Sequence, residues 1–176
     1  MLKGLFLIYL CSLSLQSEAG ISKTVFQDDK RDQVFQTGIR PYLRIGQVGS
    51  HCSGFLISEN HILTAASCVY DAKNKKWIQN LNFTPGRDGE SNPFGMKEWE
   101  AVHIHQSYMK NKSDDWNLAV IKLKKPVGRR NGYFNMPSSE NYLGPIEIAG
   151  YPLDKPANSM WSSQCFAKTR SQRLVY

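Results

Sequence analysis

Nowhere after the first twenty residues does the chain approach the roughly 18 consecutive apolar side chains that a bilayer-spanning helix needs, so the mature protein is expected to be soluble. Internal repeats and low-complexity linkers are missing, and no amphipathic helix of useful length is visible. No cluster of metal ligands stands out: His103-x-His105 has neither carboxylates nor thiols nearby, and nothing in the loop 84–93 supports calcium. No cofactor is implied. Cysteine is scarce, at four residues, and acidic residues (15) are outnumbered by basic ones (22), for a net charge of +7. An apolar content of 41% and a charged content of 21% over 176 residues describe a globular chain with material for one domain of ordinary size.

What is present begins with a leader. Met1-Leu2-Lys3 is a short basic start, Leu5 to Leu10 is an apolar run, and Ser17-Glu18-Ala19 puts small residues at the −3 and −1 positions of a cleavage site. Residues 1–19 therefore read as a secretory signal peptide, 20–40 as a polar N-terminal arm, and 41–176 as the folded domain. Cleavage removes Cys11 and leaves Cys52, Cys68 and Cys165, an odd number for an oxidising compartment. The sequons at Asn82 and Asn111 fit a secretory route as glycosylation sites. The basic cluster Lys122, Lys124, Lys125, Arg129 and Arg130 suits anionic polymers, but Lys122 and Lys124 alternate with Ile121 and Leu123 as in a half-buried strand. A solvated strand end is the expectation, with no nucleic-acid partner.

From Tyr42 onward, short apolar runs alternate with turn residues, the pattern of an all-β sandwich or barrel. Strands are predicted over 42–46, 53–58, 61–64, 77–83, 99–105, 118–123, 146–149 and 161–168, with Glu59-Asn60 as a tight hairpin turn.

The segment His51 to Asp71, read around Gly54-Phe55-Leu56-Ile57 and Leu63-Thr64-Ala65-Ala66-Ser67-Cys68, resembles the trypsin/chymotrypsin-like serine peptidases, most of all their V8-like glutamyl-endopeptidase branch. Further echoes are Asp28-Asp29-Lys30-Arg31, Leu118 to Leu123, Gly150-Tyr151-Pro152-Leu153-Asp154-Lys155 and Met160-Trp161. The resemblance implies a chymotrypsin-type double Greek-key β-barrel, with the first barrel complete and the second incomplete. Cys52 and Cys68 flank the hairpin, so a bridge between them is geometrically reasonable and would stabilise by roughly 3 kcal/mol. Gly54 would allow close backbone approach, and Leu56, Ile62 and Leu63 would fill the barrel. In such folds Cys165 would pair with a cysteine farther downstream; within these 176 residues it would be a free thiol or form an intermolecular bridge.

Acyl transfer in this family needs a Ser nucleophile, a His base and an Asp that orients the imidazole. The resemblance puts the His position at Ser67, whose hydroxyl has no useful basicity near neutral pH. It puts the Asp position at Asn117; Asp115 is a substitute only through a two-residue register slip of about 6–7 Å. No Gly-x-Ser-Gly turn occurs in the 176 residues, and the nucleophile segment is expected beyond Tyr176. Ser138, Ser139, Ser162 and Ser163 lack its context, and His51, His61, His103 and His105 read as structural or solvent-facing. Three readings follow, in decreasing order. The first is a secreted, non-catalytic protease homologue open to protein or peptide ligands. The second is the truncated product of an active endopeptidase gene, and the third an endopeptidase using displaced groups. Ligand specificity and oligomeric state are not legible.

Overall fold

Antiparallel pairing of short strands organises the chain. The computed structural model describes residues 29–136, 142–170 and 173–175; the expected leader, Cys11, Asp28, Ser138 and Ser139 lie outside the described residues. In chain order the early strands are β1 (Asp32–Gln33), β2 (Ile45–Val48), β3 (Cys52–Leu56), β4 (His61–Thr64), β5 (Tyr70–Asp71) and β6 (Lys76–Trp77). There follow β7 (Phe83–Pro85), β8 (Trp99–Ile104), helix α1 (Gln106–Asn111), β9 (Ala119–Leu123), helix α2 (Gly128–Asn131), β10 (Leu143–Gly150), β11 (Trp161–Arg170) and β12 (Arg173–Val175). None of the described helices is long and apolar enough to cross a membrane.

Six strands form the first sheet in the order β7–β2–β3–β4–β9–β8. Its two edges meet: the amides of Phe83 and Lys97 exchange hydrogen bonds of 2.8 and 2.7 Å, so the sheet closes on itself. Alternation decides which residues fill it. Along β9, Ala119, Ile121 and Leu123 are buried, and they pack with Val48, Leu56, Ile62, Phe83 and Tyr108. The second sheet holds β1, β11 and β10, with β12 on β11, and is open among the described residues. A small second core of Val34, Ile45, Tyr151 and Met160 joins it to the first. The all-β, two-barrel architecture expected from the sequence is thus observed, its first barrel closed and its second incomplete.

Several local expectations change. Tyr42–Arg44 is a 3-10 turn, closed by Arg44 N–H to the Pro41 carbonyl (3.1 Å) and Ile45 N–H to the Tyr42 carbonyl, and the strand starts only at Ile45. The stretch 77–83 is broken because Asn80 turns at φ 60°; Trp77 pairs with Tyr70 in a two-stranded ribbon, and Phe83 opens β7. Leu63 does not face the barrel core: it follows Ile62 on a pleated strand and lies on the opposite face, half-buried. The β3–β4 hairpin is wider than a two-residue turn. Ile57 N–H reaches the His61 carbonyl (2.9 Å), and the Ser58 hydroxyl accepts the amides of Asn60 and His61. Strand β8 ends at Ile104; His105 caps α1 by accepting the Ser107 amide at 3.1 Å.

The N-terminal segment lies on the second sheet. Asp32 and Gln33 pair with Ser162 and Trp161, and Val34 N–H reaches the Met160 carbonyl (2.9 Å). Ahead of them Arg31 bonds both Asp29 and Asp154, and Lys155 bonds Asp29 at 2.6 Å. Hydrogen bonds from Arg31 hold both carboxyls below the usual carboxylate range, with Lys155 helping at Asp29.

Gly54 is required by packing. A Cβ there would lie 2.7 Å from Cγ2 of both Ile62 and Val48 and 3.3 Å from the Leu63 carbonyl. Gly54→Ala is expected to lower stability by about 1–3 kcal/mol, read as a fall in thermal midpoint; an unchanged midpoint would show that β3 and β4 are not packed this closely.

Candidate functional site

The 3-10 turn Ala66–Cys68 follows β4 directly, and the 3-10 turn Asp114–Trp116 precedes β9. Because β4 and β9 pair antiparallel, with Thr64 opposite Ala119, the chain leaving one strand meets the chain entering the other. Ser67 and Asn117 therefore come together although 50 residues apart: Asn117 Oδ1 accepts the Ser67 amide at 2.9 Å. That amide begins a 3-10 turn, where the first N–H groups have no partner within the turn. Asn117 supplies the missing acceptor. Its own backbone, at φ −76° and ψ 59°, forms an inverse γ-turn closed by Leu118 N–H to the Trp116 carbonyl (2.8 Å), which sets the side-chain direction.

Asp115 occupies the 3-10 turn before Asn117 and is exposed. A register slip that brings Asp115 into use requires strand alternation at this point, and the turn removes that premise. Cys68, next to Ser67, is joined to Cys52, with Cα atoms 6.0 Å apart, so the turn carrying Ser67 is fastened to the start of β3. Ser67 is exposed and Asn117 half-buried.

One of the four histidines, His105, packs against the turn that precedes Asn117. The His105 ring stacks on Trp116 at 3.8 Å between centroids, and its Nδ1 is committed to capping α1. His103 is exposed on β8, and His51 Nδ1 lies 3.1 Å from the neighbouring Ser50 hydroxyl. The His61 ring approaches the Ser58 hydroxyl at 2.8 Å, a serine–histidine contact by distance alone. Its setting is that of a turn. The Ser58 oxygen already accepts two backbone amides, and the pair sits at the end of β4 remote from Ser67. An oxygen so engaged is a poor nucleophile, because attack needs a free lone pair directed at a carbonyl.

Cys165 is a free thiol, half-buried on β11. It lines a cavity of about 560 Å³ together with Ser53, Ile148, Tyr151 and Trp161, walled on one side by Lys30 and Arg31. Ser162 and Ser163 belong to β11, where Ser162 pairs with Ala149 and Asp32. Asn111 is exposed at the end of α1, and Asn82 is half-buried ahead of β7. The basic cluster is largely neutralised: Lys122 pairs with Glu100 (2.9 Å), Lys124 with Glu98 (2.7 Å) and Arg129 with Glu59 (2.9 Å). Among the described residues no group of three or more His, Cys, Asp or Glu gathers as metal ligands. The sequence did not expose the Ser67–Asn117 contact itself or the Arg31–Asp154 ion pair, since both join residues far apart in the chain.

Chemically, the Ser67–Asn117 pair is a backbone-positioning contact. An amide oxygen accepts one N–H, and neither side chain is a proton acceptor of useful strength near neutral pH.

The Trypsin family model matches residues 31–169. A glutamyl endopeptidase of Bacillus licheniformis is 29% identical over 160 residues, a match covering 88% of this chain and 50% of that protein. Serine protease 23 of Homo sapiens is 28% identical over 159 residues, covering 77% and 41% respectively. The chain thus spans about half the length of the curated relatives it matches. Among solved structures, a Glu endopeptidase superposes with a TM-score of 0.74 at 26% identity, over 84% of this chain and 73% of that one.

Replacing Asn117 with Ala should lower the urea midpoint by an amount equivalent to about 0.5–1.5 kcal/mol, while Asn117→Asp, which keeps an acceptor oxygen, should stay near wild type. Equal losses in both variants would mean that the Ser67 amide does not depend on this side chain.

Proposed function

This chain belongs to the trypsin family of serine peptidases, and from that premise we propose that it acts as a secreted, non-catalytic member, a domain that binds protein or peptide without cleaving it. One observation carries the reading: the fold brings positions 67 and 117 into contact, as a catalytic histidine and its aspartate would be, but the residues there are Ser67 and Asn117. A serine hydroxyl cannot take the nucleophile's proton at neutral pH. An amide at the aspartate position cannot hold the imidazole tautomer or support its charge; in a trypsin triad that single change costs around 10⁴-fold in turnover. These two losses are independent of where the chain begins or ends.

Secretion rests on the leader read over residues 1–19, on the Cys52–Cys68 bridge, which suits an oxidising compartment, and on the exposed sequon at Asn111. Glycosylation at Asn111 and Asn82 belongs to the same proposal. The binding role follows from the family's chemistry, since its members act on peptide chains, and the specificity is left to the ligand.

The test is an activity-based one. Purified protein offered casein and a fluorophosphonate probe should release no peptides and retain no label. Stoichiometric labelling of a single serine would overturn the non-catalytic reading and point to a displaced base.

A further inference from the structure

Residues 29–34 are held to the second sheet by very little regular structure. Strand β1 contributes two residues, and Val34 adds one backbone bond and one buried side chain. The remaining attachment is electrostatic. Arg31 uses Nε and Nη2 on Asp29 (2.7 and 2.8 Å) and Nη1 on Asp154 (3.0 Å), 123 positions away. Asp29 in turn receives Lys155, whose ammonium lies 4.1 Å above the Trp161 ring. These charged side chains are only 14–22% exposed, so solvent and salt screen them less than ordinary surface pairs, and the two-pronged guanidinium contacts fix direction as well as distance.

The position of this segment has a consequence. Lys30 and Arg31 form one wall of the 560 Å³ cavity whose other walls include Ile148, Tyr151, Trp161 and Cys165. Ile148 is already 48% exposed, so lifting the segment would turn the cavity into an open trough along β10 and β11. With Cys52 and Cys68 bonded to each other, Cys165 is the thiol that such an opening would present.

We propose that residues 29–34 are a strap, clipped by the alternating charges of Asp29, Arg31, Asp154 and Lys155, which controls access to the Cys165 cavity and shields the Arg31–Asp32 peptide bond. Any thiol or disulfide partner of Cys165 must then displace the strap first. Cleavage after Arg31, a bond that trypsin-like enzymes would ordinarily cut, is suppressed while its guanidinium is occupied by the two carboxylates.

The experiment uses the full chain with Cys11→Ser, so that Cys165 is the reporting thiol, and compares it with the same chain carrying Asp154→Asn. Two rates are read in native buffer: reaction with an aromatic disulfide reagent, and cleavage after Arg31 by trypsin. In the parent chain trypsin should cut first at exposed Lys73 or Lys75. In Asp154→Asn both the thiol rate and the Arg31 cut should rise about tenfold or more, with the near-ultraviolet circular dichroism retained. Equal rates in the two chains would overturn the proposal. Should Asp154→Asn lose its tertiary signal, Lys155→Met replaces it, removing the ion pair to Asp29 and the ammonium contact on Trp161 while leaving Arg31 with both carboxylates; a smaller rise is then expected, and no rise overturns the strap.

Discussion

The antiparallel pairing of β4 with β9 is the constraint on which the rest of the molecule depends. It is a ladder of four residue pairs, from His61 opposite Lys122 to Thr64 opposite Ala119. Its inward residues Ile62, Ala119 and Ile121 are fully or almost fully buried, so a slip by one position would turn all of them towards solvent. With that register fixed, the residues just past Thr64 must face those just before Ala119, and Ser67 meets Asn117. The disulfide fastens the same turn to β3, so position 67 is tied on both sides. On the proposed reading these two positions are the addresses of a base and the acid that orients it, and neither a serine hydroxyl nor an asparagine amide is a proton-relay group.

Electrostatics elsewhere in the chain supports attachment more than chemistry. The excess of basic residues looks in the sequence like an invitation to anionic partners, but in the fold Glu100, Glu98 and Glu59 answer Lys122, Lys124 and Arg129. Such exposed pairs contribute little to stability, typically below about 1 kcal/mol each, yet they reduce the local field. The partly buried group around Arg31 is of another kind. It joins the start of the described chain to the Asp154-Lys155 loop, and thereby joins two of the short motifs that stand out separately in the sequence, Asp28-Asp29-Lys30-Arg31 and Gly150 to Lys155.

How much of this is legible in the sequence follows the range of the interactions. The bounds of β4 and the cysteine pair are readable because they depend on local alternation and a hairpin, and the two-barrel architecture is readable through the family resemblance carried by a motif of about twenty residues. The sequence misleads where backbone geometry overrides apolar pattern: the 3-10 turn at Tyr42, the positive φ of Asn80, and the turn at Asp114–Trp116 that removes Asp115 from any strand register. Leu63 reads as a core residue because it is apolar, whereas pleating gives that face to Ile62 and Thr64. Positions 67 and 117 can be named from the sequence, but their contact cannot, since 50 residues and a strand pairing separate them.

On the proposed reading, positions 67 and 117 are the two addresses of a catalytic pair, held in contact while neither carries a base. A crystal structure at a resolution sufficient to orient side-chain amides and imidazoles tests it most directly. Asn117 Oδ1 is expected within hydrogen-bonding distance of the Ser67 amide, with His105 still stacked on Trp116. An imidazole turned into the cleft beside Ser67, bonded to a carboxylate on one nitrogen and facing a free hydroxyl with the other, would contradict it.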